Sequence, residues 1–174
     1  MKILIAYASK NGTVLECVNR LCKCLSGLDV TVADLDREQP NVSEYDLVVT
    51  GASVRFGRLL AAERRFLKEH SAALEQKTLC LFLCCGLAHE YEYYREVLFP
   101  KTLVRCAYQN LYFGGSLRTD GLSFFDKIAV RYLRSSIMES EIEDGEYTPS
   151  MPGILPENIE RMAAYIRMKL LENV

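Results

Sequence analysis

The sequence has no tryptophan, only two histidines and five prolines among 174 residues. Its longest apolar runs, residues 79–85 and 47–49, are far shorter than the ~20 residues of a membrane-spanning helix. A net charge of −2 gives no bulk attraction to nucleic acid, so we expect no nucleic-acid partner. The N-terminus lacks the apolar stretch and cleavage site of a signal peptide, which predicts a cytoplasmic protein.

The seven cysteines do not have the spacing of a metal site or of a disulfide framework. Their number is odd and no pair has CxxC spacing, so we expect no metal. Most lie in apolar runs, which predicts buried, reduced thiols. Cys84 and Cys85 differ because they fall where a strand is predicted to end. A redox role for this pair is disfavoured, since neighbouring cysteines rarely form an unstrained bridge.

Apolar runs alternate with helical patterns in the order β-α-β-β-α-β-α-β-α-α. Continuous apolar runs are typical of strands buried on both faces, as in a parallel sheet. We therefore expect an α/β fold, a doubly wound five-stranded parallel sheet with helices on both faces, forming one domain over residues 1–174. No helix is predicted between the second and third strands. The strands are predicted at residues 3–7, 30–32, 45–51, 78–85 and 108–114.

Ligands of open α/β sheets bind at the carboxyl ends of the strands, where three loops of unusual composition are predicted. In the first loop, hydroxyl and amide side chains surround Gly12 at the start of a helix. Free N–H groups and the positive helix end favour a phosphate there. The alternative is that Ser9, Asn11 and Thr13 only cap the helix, and the loop alone does not decide. This loop consists of Ser9, Lys10, Asn11, Gly12, Thr13 and Val14.

The second and third loops carry the side chains and glycines that a flat ring would need. An exposed Phe56 would stack on such a ring, whereas the alternative makes Phe56 a core anchor and Arg55 a solvated charge. Gly86 indicates a tight backbone whose N–H groups meet the edge of a heterocycle, and His89 is interpreted as a surface residue. The candidate residues are Ser53, Val54, Arg55, Phe56 and Gly57 in the second loop, and Cys85, Gly86 and Leu87 in the third.

Together the three loops resemble those of the flavodoxin family. The residues from Ser9 to Gly12 resemble its phosphate loop, Thr/Ser-x-Thr-Gly-x-Thr. Residues 45–57, YDLVVTGASVRFG, are similar to YDxVVxGASxRYG in the subgroup that contains the menaquinone-dependent protoporphyrinogen dehydrogenase. Residues 113–118, FGGSLR, are similar to its fifth strand. The resemblance covers nearly the whole chain.

The resemblance implies strand order 2-1-3-4-5 and an FMN cofactor at the strand ends. Residues 9–14 would hold the phosphate, and residues 53–57 and 85–87 would flank the isoalloxazine ring. Val14 departs from the pattern, because the family has a hydroxyl residue there. A hydrogen bond to a charged group contributes about 1.5–3 kcal/mol, so FMN is expected to bind more weakly than in a typical flavodoxin.

Electron transfer through FMN is the expected function, with a redox partner protein or a quinone as partner. One alternative is an FMN-dependent oxidoreductase of the protoporphyrinogen dehydrogenase (quinone) type; another is an interaction module without cofactor. Near-neutral charge disfavours a plain carrier, since typical flavodoxins are strongly acidic. The helix predicted from Phe124 to Ile137 is basic and amphipathic; it packs on the sheet or makes weak contact with an anionic membrane surface. No catalytic residue is assigned.

Overall fold

The computed structural model describes residues 1–10, 12–115 and 153–172. Within them, five parallel strands form the main sheet in the spatial order β2-β1-β3-β5-β6, and a two-residue strand, β4, pairs antiparallel with β3. Leaving β4 aside, this is the predicted order 2-1-3-4-5. The strands are β1 (Lys2–Ala8), β2 (Asp29–Asp34), β3 (Leu47–Arg55), β4 (Arg58–Leu59), β5 (Thr78–Cys84) and β6 (Gln109–Tyr112).

Helices cover both faces of the sheet, as expected for a doubly wound fold. α1 and α5 pack on the face lined by Ile3, Ile5 and Val49, while α2, α3 and α4 pack on the face lined by Leu4 and Val48. The three central strands, β1, β3 and β5, are thus buried on both sides over most of their length, which explains their apolar sequences. The helices are α1 (Thr13–Cys24), α2 (Ala61–Leu74), α3 (Tyr91–Leu98), α4 (Lys101–Cys106) and α5 (Pro156–Glu172).

β3 continues past the predicted end at Gly51 to Arg55. A glycine is required at position 51 because a Cβ there would lie 2.1 Å from the carbonyl oxygen of Phe82 on β5. Gly51 therefore allows close approach of two strands, and the expectation that it ends β3 was wrong. As a result, Ser53 and Val54 lie on a strand.

Other element boundaries also differ from the prediction. β5 ends at Cys84, and the predicted fifth strand is split into β6 and a two-residue β7 (Gly114–Gly115). β7 pairs antiparallel with β8 (Gly153–Ile154), which was not predicted. Between β2 and β3 the structure agrees with the prediction of no α-helix and has one 3₁₀ turn, Val42–Glu44.

Helix α4 was not predicted either, because its six residues are too few to show a helical pattern, and Pro100 is its N-cap. The helix predicted from Phe124 to Ile137 lies outside the described residues, as do Asn11 and the second half of the FGGSLR motif. In the ranges that the structure describes, no helix is both long and apolar enough to cross a membrane.

Candidate functional site

The first loop ends at the start of α1 with two buried hydroxyl groups. Gly12 is the N-cap, with a left-handed φ of 79°, and a Cβ added there would meet no atom within 4 Å. Ser9 Oγ and Thr13 Oγ1 are buried and have no hydrogen-bond partner among the described residues. Neither hydroxyl caps α1, so this helix end keeps both unpaired hydroxyls and its free N–H groups.

Val14 lies beside this helix end but faces away from it. Its side chain is fully buried in the cluster that includes Ile5, Cys17 and Val18. Val14 therefore offers only its backbone N–H to a ligand, and Thr13 supplies the hydroxyl of this turn. Lys10 is exposed.

The second loop is a two-residue hairpin turn between β3 and β4. Phe56 and Gly57 have φ values of 49° and 69°, so both central residues are left-handed, as in a type I′ turn. Phe56 is 61% exposed, which shows that its interpretation as a core anchor was wrong. The Arg55 guanidinium carbon lies 5.5 Å from the centre of the Phe56 ring. The hairpin thus presents an aromatic ring at the surface.

The third loop is held by its neighbours through the Cys85 backbone. The Cys85 N–H donates to the Gly114 carbonyl at 3.1 Å, and the Tyr112 hydroxyl donates to the Cys85 carbonyl at 2.7 Å. A Cβ at Gly115 would lie 2.3 Å from that same carbonyl oxygen, so β7 requires glycine there. The Cys85 thiol donates to the Leu87 carbonyl, and burial raises its pKa to about 11. Gly86 and Leu87 are half-buried.

The sheet register brings the three loops to one edge. β1, β3 and β5 are adjacent, with Ala8 opposite Ala52 and Ser53 opposite Cys84. Ser9, which follows Ala8, and Cys85, which follows Cys84, therefore leave the sheet on either side of Ser53. His89 is exposed, 3.6 Å from the Glu90 carboxylate, in agreement with its interpretation as a surface residue.

Glu63 is a buried carboxyl group that sequence reasoning missed. It lies in the first turn of α2, is fully buried, and its Oε1 accepts a hydrogen bond from Thr50 Oγ1 at 2.9 Å. Burial raises its pKa to about 8, so it is mostly protonated at neutral pH. Helical periodicity could have predicted its burial, because Glu63 lies on the same stripe as Leu60, Phe66 and Leu67, which is the apolar face of α2.

The sequence model of the flavodoxin domain matches residues 4–142. The chain belongs to the flavodoxin domain family. Over 77 residues it is 36% identical to the protoporphyrinogen IX dehydrogenase (quinone) of Escherichia coli strain K12. That match covers 42% of this chain and 42% of the enzyme.

Solved structures show the same fold at low sequence identity. The FMN-bound flavodoxin of Fusobacterium nucleatum superposes with a TM-score of 0.52 at 12% identity, over 97% of this chain and 99% of that protein. Flavodoxin 1 of Bacillus cereus gives 0.50 at 15% identity, over 80% and 98%. The rubredoxin oxygen:oxidoreductase of Desulfovibrio gigas gives 0.52 at 12%, and this chain spans 37% of its length. The predicted flavodoxin-like fold is confirmed.

Proposed function

We propose that this flavodoxin-domain protein, as one domain over residues 1–174, binds FMN and transfers electrons through it. The observation that carries the proposal is the pair of buried, unpartnered hydroxyls on Ser9 and Thr13 beside the N-terminus of α1. Leaving a buried hydroxyl without a partner costs about 1–3 kcal/mol. A phosphate accepts hydrogen bonds from both hydroxyls and from the free N–H groups, so the group that the family implies fits the residues present.

The phosphate end of FMN would be held by the first loop. Ser9 and Thr13 donate their hydroxyl hydrogens, Lys10 adds a positive charge, and Val14 donates only its N–H. Gly12 leaves open space for the approach of the phosphate. We include Asn11 in this site from its place in the motif.

The ring end of FMN would lie between the second and third loops. The exposed Phe56 offers a face for stacking, with Ser53, Val54, Arg55 and Gly57 forming its support. The loop of Cys85, Gly86 and Leu87 is fixed by Tyr112 and Gly114, so the N–H groups of Gly86 and Leu87 are preorganised for the edge of a heterocycle. Bound FMN supplies the chemistry of reversible electron uptake, and the chain supplies orientation and hydrogen bonds.

A second candidate function is that of an FMN-dependent oxidoreductase of the protoporphyrinogen dehydrogenase type. The 36% identity to the E. coli enzyme favours it over a plain carrier, as does the near-neutral charge. If the protein is an oxidoreductase of this type, a quinone would accept its electrons. If it is a carrier, a partner protein would accept them. The unpartnered hydroxyls count against an interaction module without cofactor, since such a module gains nothing from leaving them buried.

Titration with FMN tests the proposal. The purified protein is expected to quench the fluorescence of added FMN and to shift its absorbance; absence of both effects at high protein concentration would contradict FMN binding. The FMN-loaded protein is then mixed with protoporphyrinogen and a menaquinone. Turnover selects the oxidoreductase, whereas reversible reduction without turnover selects the carrier.

A further inference from the structure

Cys17 on α1 and Cys84 on β5 bring two thiols into contact beneath the proposed site. Cys84 Sγ donates a hydrogen bond to Cys17 Sγ, and the two atoms are 3.8 Å apart across 67 positions of the sequence. Cys17 is fully buried and Cys84 is 2% exposed. Successive side chains of a strand point to opposite faces of a sheet. That alternation places Cys84 on the same face of β5 as Cys80 and Phe82, in the cluster that contains Cys17, whereas Cys85 follows the strand and bonds to the Leu87 carbonyl.

We propose that Cys17 and Cys84 form a reversible disulfide site that controls the affinity of the first loop for FMN; the second half of this proposal rests on the proposed function. Cys17 lies one helical turn after Thr13, and Cys84 directly precedes the third loop. A disulfide brings the sulfur atoms to about 2.05 Å. Forming it therefore draws the first turns of α1 and the end of β5 together and displaces the loops attached to both.

The bridge requires a two-electron oxidant, for which hydrogen peroxide suffices. Peroxide converts the Cys84 thiol to a sulfenic acid and releases one water. The Cys17 sulfur then attacks the Cys84 sulfur, the S–S bond forms, the S–O bond breaks, and a second water leaves. Two electrons and both thiol protons pass to the peroxide oxygens. A dithiol reductant returns two electrons and two protons and restores the thiols.

The surroundings of the pair predict slow oxidation. The hydrogen bond to Cys17, together with burial, raises the pKa of the Cys84 thiol well above its ordinary value. Because the thiolate is the reactive form, the pair stays reduced until peroxide is sustained. Cys80 is the matched control: it is fully buried in the same cluster, yet no sulfur–sulfur hydrogen bond to it occurs among the described residues.

The test is peptide mapping of the full-length protein after peroxide treatment. Thiols are blocked in denaturant, and the digest is analysed by mass spectrometry without reduction. We expect a linked peptide pair containing Cys17 and Cys84 that dithiothreitol abolishes. It should be absent from Cys17→Ala, Cys17→Ser and Cys84→Ala, and present in Cys80→Ala. Circular dichroism shows whether each variant folds. If one of the two Cys17 variants fails to fold, the other takes its place in the test.

FMN titrations of the oxidised and reduced protein test the coupling. We expect the dissociation constant to rise roughly tenfold in the bridged form, the equivalent of about one lost hydrogen bond to a charged group. No linked peptide after complete peroxide exposure would overturn the disulfide site. A bridge with an unchanged dissociation constant would overturn the coupling. Failure of both forms to bind FMN would overturn the proposed function, while the peptide map would still decide the disulfide.

Discussion

The N-termini of α1 and α2 lie at the same edge of the sheet but carry different buried polar groups. At α1, the hydroxyls of Ser9 and Thr13 are buried without a partner among the described residues. At α2, the first turn contains a buried carboxyl group, Glu63, whose Oε1 accepts a hydrogen bond from Thr50 and whose Oε2 has no partner among the described residues. A helix N-terminus attracts anions in general. The start of α1 therefore presents two hydroxyl groups without a partner among the described residues to a phosphate, whereas the start of α2 holds a carboxyl group.

The largest expected effect concerns the start of α2. Glu63 has a pKa of about 8 in the fold against 4.5 in the unfolded chain, so the folded protein holds a proton that the unfolded chain releases. The stabilisation that this bound proton gives the folded state is complete below pH 4.5 and is lost gradually as the pH rises to about 8. The decline is about 1.4 kcal/mol per pH unit, and up to about 5 kcal/mol across this window.

Urea unfolding at several pH values measures this contribution. Glu63→Gln keeps an acceptor for Thr50 but removes the titration, so the stability difference between wild type and variant should change with pH over that window. Glu160→Gln, at an exposed position on α5, is the matched control for the loss of a carboxylate. A constant difference for Glu63→Gln would show that its carboxyl group does not titrate differently in the fold.

The next effect concerns the start of α1. Ser9→Ala and Thr13→Val should each raise the FMN dissociation constant tenfold to a hundredfold, roughly the loss of one hydrogen bond to a charged group. The FMN-free protein should lose no stability, since each variant removes a hydroxyl that has no partner among the described residues. Isothermal titration and thermal unfolding measure the two quantities.

Thr50→Val is the control that sharpens the comparison. It removes the hydrogen bond to Glu63 and should lower stability by about 1–3 kcal/mol while leaving FMN affinity unchanged. If Thr13→Val lowered the stability of the FMN-free protein as much as Thr50→Val does, the Thr13 hydroxyl would have a structural partner, and the contrast between the two helix ends would be lost.

A smaller effect is expected at Val14. The family pattern alone predicts that Val14→Thr tightens FMN binding. Burial of Val14 in the core changes this expectation, because the new hydroxyl would enter an apolar cluster at a cost of about 1–3 kcal/mol in stability. We expect lower stability and no gain in affinity; tighter FMN binding would mean that position 14 reaches the phosphate.

The smallest effect concerns the hairpin. Phe56 has a left-handed φ of 49°, which asparagine tolerates better. Phe56→Asn should therefore increase stability by about 1 kcal/mol. Loss of the ring should weaken FMN and riboflavin binding by the same factor, since Phe56 is proposed to contact the isoalloxazine ring that both ligands share. A selective loss of FMN affinity would place Phe56 near the phosphate instead.

Local patterns predicted the sheet and the three loops well. Continuous apolar runs indicated the parallel strands, and the family motifs gave the strand order that the structure confirms. Contacts between distant segments were not predictable in the same way. β3 extends beyond Gly51 through pairing with β5 and β4, and the pairing of β7 with β8 joins residues far apart in sequence.

Two polar features of the interior show the same limit. The sequence singled out Cys84 and Cys85 because they are adjacent. In the structure, the sulfur that Cys84 contacts belongs to Cys17 on α1. The burial of Glu63 could be predicted from its place on an apolar helical stripe. Its partner Thr50 could not, because their contact depends on the packing of α2 on β3. Residue types and periodicity predict burial, while the identity of a buried partner depends on the tertiary arrangement.

A comparison of FMN with riboflavin isolates the contribution of the phosphate, because the two ligands differ only in that group. Both are titrated into the same protein by fluorescence quenching. If the start of α1 is the phosphate site, two hydrogen bonds to a charged group should make FMN bind at least about a hundredfold more tightly. This preference should largely disappear in a Ser9→Ala, Thr13→Val double variant. Equal affinities for the two ligands in the wild-type protein would contradict the account.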